Sequence, residues 1–156
     1  MIQRIQTVFL ALVAISMFIM AFTPLFTIAN PEVDKSVTLN AMEMIRQNGE
    51  TLEQTTTVYL MALGLISASL AIGSILQFKN RMNQIKLNFV NTIVMVTTLG
   101  ITLYFLLDGR EFIGSAQAGT FGIGFYSLMA AFIFNMIANR FIRKDEQLVR
   151  SSERFR

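Results

Sequence analysis

Few side chains in this sequence can do covalent or metal chemistry. The 156 residues include no Cys and no His. Their absence excludes a thiolate nucleophile, a disulfide, a Cys-based zinc or iron–sulfur site, an imidazole metal ligand and a Ser-His-Asp triad. Two clusters of charged residues remain, Asp108 with Arg110 and Glu111, and Asp145 with Glu146. Both read as solvated loop or tail charge, which carries little energetic weight. The ten Met residues read as flexible apolar filler and not as a copper site. Gly122-x-Gly124 has no third Gly and no following Lys-Ser/Thr, and no strand is expected before it, so it does not read as a nucleotide loop. Neither cluster asks for a cofactor or a catalytic role.

The polar residues with informative spacing are neutral. Asn88, Asn91, Thr92, Thr98 and Thr102 fall largely on one helical face. Asn135 and Asn139 are one turn apart further along the chain. Asn88, Asn91, Asn135 and Asn139 are expected at similar depth, where their amides can meet. The expected role is hydrogen bonding between helices, at roughly 0.6 kcal/mol per contact. The sharper alternative is a polar vestibule for a small solute or ion.

The elements that must hold these residues are four charge-free stretches, at about 7–29, 57–78, 87–107 and 121–139. At about 1.5 Å per residue each covers roughly 28–35 Å, close to the hydrocarbon thickness of a bilayer. Lipid offers the backbone no hydrogen bonds, so each stretch must be helical. The predicted fold is all-α: a four-transmembrane-helix bundle forming one domain over 1–156. Only 15% of the residues are charged and the mean hydropathy is +0.53, which suits this class better than a soluble one.

The charged residues orient the spans. Ten Lys or Arg lie before the first span, between the second and third, and after the fourth, against three in the other two connections. This asymmetry predicts that both termini are cytoplasmic, with the basic residues facing anionic headgroups. The net charge of +3 therefore reflects topology, and no nucleic-acid partner is expected. The first span resembles a signal peptide, but its apolar run is too long and no small-x-small cleavage site follows, so an uncleaved anchor is expected. Pro24 is expected to kink or end that helix.

The outer loop, 30–56, reads as a short surface helix over 37–47, capped by Ser36 and stopped by Gly49. Alternation across 35–40 offers a strand instead. The segment 79–86 is a short basic turn that makes the second and third spans a hairpin. The connection 108–120, with three glycines, is expected to be mobile. In the tail, 140–156, Phe141, Leu148 and Phe155 repeat every seven residues beside Ile142 and Val149, and Glu146 is placed to pair with Arg150. The fourth helix is expected to continue as an amphipathic cytoplasmic helix. It would dock on anionic lipid or on a partner through Arg143, Lys144, Leu148, Val149 and Arg150.

Three segments carry a resemblance: Met1-Ile2-Gln3-Arg4-Ile5-Gln6-Thr7, the stretch from Gln77 to Ile85 (QFKNRMNQI), and the stretch from Ile142 to Ser151 (IRKDEQLVRS). Together they resemble the Bacteroidota membrane-protein family filed as a domain of unknown function, family 4293. The likeness spans the whole chain. One departure is the ending Ser-Ser-Glu-Arg-Phe-Arg, where the family more often has an Asp and a Leu. The resemblance implies a four-span inner-membrane protein and brings no activity or catalytic residue. The expected function is a non-enzymatic accessory or assembly subunit, partnered with other copies or other membrane proteins. Deletion of 143–156 is then expected to abolish partner recovery. The alternative is a small oligomeric transporter or channel for a neutral or weakly polar solute.

Overall fold

The computed structural model describes residues 3–77, 80–114 and 119–153, with side chains between 5 and 148. The chain is mostly helical and also carries a sheet. Its elements are α1 (Gln3–Phe22), β1 (Phe26–Asn30), β2 (Lys35–Leu39), β3 (Glu43–Asn48), β4 (Thr51–Thr56), α2 (Val58–Leu76), α3 (Arg81–Ile113), β5 (Thr120–Phe121) and α4 (Ile123–Glu153). The four helices are each long and apolar enough to cross a membrane. Each helix packs against its sequence neighbour, and α1 closes against α4.

Each helix is buried along a seam with alternating steps of four and three residues. On α1 the seam is Gln6, Leu10, Val13, Met17 and Met20. On α2 it is Leu60, Gly64, Ser67, Ala71 and Ser74. On α3 it is Gln84, Asn88, Asn91, Met95, Thr98, Thr102, Phe105 and Gly109. On α4 it is Leu128, Ala131, Asn135, Ala138, Ile142 and Asp145. A repeat averaging 3.5 residues keeps one side of a helix against its neighbours over many turns. The surface away from the seams is apolar: Phe18, Phe22, Ile72, Phe89, Ile93 and Ile133 all point outward.

The five strands form one antiparallel sheet, ordered β4-β3-β2-β1-β5. This corrects the all-α expectation in two places. The first helix ends at Phe22, well short of 29, and 26–30 is a strand. Pro24 explains the break, since its ring disfavours helix at Thr23 and removes an N–H. The Thr23 hydroxyl turns back to donate to the Ile19 carbonyl at 2.8 Å. The second correction is the predicted surface helix over 37–47, which is instead the end of β2, the bend at 40–42 and most of β3. Alternation won there: Val37 and Leu39 point inward while Ser36 and Thr38 face out. Ser36 is a strand residue that pairs with Gln47, not a cap. Gly49 adopts φ +60° at the head of the two-residue turn joining β3 to β4, where hairpins favour glycine.

The sheet sits over one end of the helices. Its inner side chains Ile28, Val37 and Met44 rest on α3 at Gly109, where a Cβ would come within 3.2 Å of Val37. Helix α3 runs 33 residues, about 50 Å, and reaches up to this surface. The first part of the connection expected to be mobile, 108–113, is therefore helix, closed by Gly114 at φ +68°, whose N–H donates to the Arg110 and Glu111 carbonyls. Residues 115–118 of that connection lie outside the described residues. At the other end α4 continues through the tail without interruption to Glu153, as expected of the last helix.

Candidate functional site

Polar side chains gather at three levels along the helices. At the middle level, α3 is tied to both neighbours. The Ser67 hydroxyl of α2 donates to the Asn91 Oδ1 at 2.6 Å. The Asn135 amide of α4 donates to the Thr92 hydroxyl at 2.8 Å and to the Asn88 carbonyl at 3.4 Å. One turn toward the tail end, the Gln84 amide donates to the Ser74 carbonyl at 2.8 Å. The Thr98 and Thr102 hydroxyls bond back to carbonyls of their own helix.

The four asparagines singled out from the sequence thus divide. Asn91 joins α3 to α2, whereas Asn88, through its backbone, and Asn135 join α3 to α4. Asn139 is half-buried and lines a groove on α4. Among the described residues several buried polar atoms have no hydrogen-bond partner: Ser74 Oγ, both amide atoms of Asn88, Asn91 Nδ2, and the Oδ1 atoms of Asn135 and Asn139. Each such atom costs about 1–3 kcal/mol when left without a hydrogen bond. The level therefore has unused capacity for water or a small polar molecule.

The tail end holds a second node, which corrects the reading of Asp145 as solvated charge. Asp145 is only 6% exposed. Its Oδ2 accepts from the Gln6 amide of α1 at 2.6 Å. Its backbone carbonyl accepts from the Arg81 guanidinium at the start of α3, at 2.7 Å. Three elements distant in sequence are pinned at one residue. Phe141 stacks on Phe9 with ring centres 5.9 Å apart, and Ile142 is fully buried. This part of the tail is therefore packed against α1. Arg143, Lys144 and Leu148 face outward, while the side chains of Val149, Arg150 and Phe155 lie outside the described residues.

At the sheet end Asp108 is likewise not a free loop charge. It forms an ion pair with Arg46 of β3. The Phe112 ring lies beneath two cations, with Lys35 Nζ 5.1 Å and Arg46 Cζ 5.6 Å from its centre. Lys35 also donates to the Phe112 carbonyl at 3.3 Å. These contacts fasten the sheet to the end of α3.

The three sequence segments that carry the family resemblance supply Gln6, Arg81 and Asp145, and these residues touch. A family model covers nearly the whole chain, from residue 2 to residue 155. The chain belongs to the domain of unknown function family DUF4293. No curated protein matches it. The node at Asp145 is thus assembled from the start, middle and end of the matched region. Among the described residues no group of three or more Asp or Glu is placed to hold a metal ion.

Proposed function

We propose that this chain is an integral inner-membrane protein with both termini cytoplasmic, and that it works as a non-enzymatic accessory or assembly subunit. The membrane reading is supported by the inverted distribution of polarity. Apolar side chains point away from all four helices, while Gln84, Asn88, Asn91 and Asn135 are buried between them. Water would favour the opposite arrangement; lipid favours this one. The ten-to-three distribution of Lys and Arg supports the orientation.

The observation that carries the subunit reading is β4. All six of its residues are exposed, and it forms one edge of the sheet. An edge strand with neither Lys nor Pro offers its backbone for pairing. The fitting occupant is an extended segment of a partner membrane protein, added as a further strand. Photo-cross-linking groups placed at Leu52 and at Gln54 should capture the same partner in intact cells, and one at Ile133 should not. Leu52→Lys combined with Gln54→Lys should suppress capture. Equal capture from all three positions, or none from β4, would reject the docking role.

A second reading rests on the unpartnered polar atoms around Asn88 and Asn91. They favour passage or binding of a small polar solute, through an oligomer. Asn91→Leu together with Asn135→Leu should then abolish flux in liposomes, and unchanged flux would eliminate it.

A further inference from the structure

The groove on the tail half of α4 has a chemistry that the subunit reading does not use. It holds about 920 Å³ and is lined by Met136 and Ile137 toward the apolar part of the helix, and by Arg140, Phe141, Arg143 and Lys144 toward the tail. Asn139 and Gln147 also line it. Among the described residues the lining carries three cations and no carboxylate. Of the two acidic residues on the same helical turns, Asp145 is turned inward and held by Gln6, and Glu146 is half-buried and not among the described lining residues. Phe141 is fixed as a wall by its stack on Phe9.

The order of these residues along the helix matters. From Met136 to Gln147 is eleven residues, about 16 Å. Over that distance the lining begins with Met136 and Ile137 and carries its cations from Arg140 onward, with the Phe141 ring among them, and the charge-free stretch of α4 ends between Asn139 and Arg140. An acidic phospholipid has the same order: acyl carbons, glycerol, phosphate. Arg presents a planar fork of donors suited to phosphate oxygens, and Lys adds a compact charge.

We propose that this groove is a binding site for one acidic phospholipid, with the phosphate held by Arg140, Arg143 and Lys144 and the upper acyl chain against Met136, Ile137 and Phe141. The inference rests on the membrane reading above and adds a defined lipid site to it.

The test uses the full chain purified in detergent and offered equimolar phosphatidylglycerol and phosphatidylcholine, with bound lipid read by native mass spectrometry. Phosphatidylglycerol should be retained in preference. The combined variant Arg140→Gln, Arg143→Gln, Lys144→Gln should weaken retention on the order of 100-fold, from about a factor of five per cation. Exposed side chains are changed, so folding is checked by circular dichroism. Arg140→Lys with Arg143→Lys, which keeps the charge, should retain most of the binding. Arg110→Gln, at the sheet end, should leave retention unchanged. Equal retention of both lipids, or undiminished retention in the triple variant, overturns the proposal. Displacement of the lipid by millimolar inorganic phosphate overturns it too, because the site would then serve a soluble anion. These results would leave the membrane reading standing. Recovery of the chain from a detergent-free aqueous fraction would remove the membrane reading itself.

Discussion

Gly122→Ala is the sharpest single perturbation the structure offers. Gly122 lies where the chain enters α4, against the link that leaves α1. A Cβ there would sit 2.2 Å from the Pro24 carbonyl oxygen and 2.9 Å from the Pro24 carbonyl carbon. A carbon and an oxygen need about 1 Å more than that, and both groups are backbone, so no side-chain rotation relieves the clash. The two segments must move apart. That motion stretches the Gly122 N–H bond to the Leu25 carbonyl, now 2.9 Å, and the Gly124 N–H bond to the Pro24 carbonyl, now 3.0 Å. Overpacking costs about 1–3 kcal/mol, and each weakened hydrogen bond about 1 kcal/mol. The gain from a less flexible unfolded chain is below about 1 kcal/mol. The net expectation is a loss of roughly 2–4 kcal/mol. Gly73→Ala is the control, because a Cβ at Gly73 meets nothing within 4 Å. In the interior of α2 it should be neutral or stabilise by up to about 1 kcal/mol. Denaturant unfolding in a fixed detergent, followed by far-ultraviolet circular dichroism, compares the two. A Gly122→Ala chain as stable as Gly73→Ala would refute the close approach of α4 to Pro24.

The remaining predictions concern the polar nodes. Asn91→Leu should cost about 0.6–1.7 kcal/mol by orphaning the Ser67 hydroxyl, whereas Asn88→Leu removes an amide with no partner and should be neutral or stabilising; the same unfolding assay separates them. Asp145→Ala should lower stability by about 1.5–3 kcal/mol through loss of its buried bond from Gln6, and hydrogen exchange should rise first in the early turns of α1. Arg46→Gln should cost no more than about 1 kcal/mol, because the pair with Asp108 is partly exposed, while quickening exchange in β3. Truncation at residue 142 should destabilise the whole chain, since it deletes Asp145 and its bonds to Gln6 and Arg81, and the same unfolding assay checks it.

The helices were legible because charge-free length is a coarse signal that a single sequence carries well. The seams were legible too. Asn88, Asn91, Thr98 and Thr102 share a face at steps of three and four residues, and the structure buries that face. Continuing the same step on α4 from Asn135 through Ala138 and Ile142 reaches Asp145. The sequence therefore held the clue to its burial, obscured by the basic residues around it. The sheet was harder to read. The apolar run from 7 to 29 passes over Pro24 without a charge to mark the end of α1, and Ala41, Met42, Met44 and Ile45 suit a helix face locally. Cross-strand packing on α3 at Gly109 decided otherwise, and that partner is more than sixty residues away. Pairings such as Arg46 with Asp108 are equally distant, so loop charge was the natural reading of each alone.

Side-specific labelling tests the central claim most directly, and a chain without Cys is suited to it. Single variants Gln54→Cys on β4 and Gln147→Cys on the tail of α4 would be treated in intact, outer-membrane-permeabilised cells with a maleimide that cannot cross the inner membrane. The account predicts that position 54 labels at once and that position 147 labels only after the inner membrane is opened. Labelling of both positions in sealed cells, or of 147 alone, would contradict it.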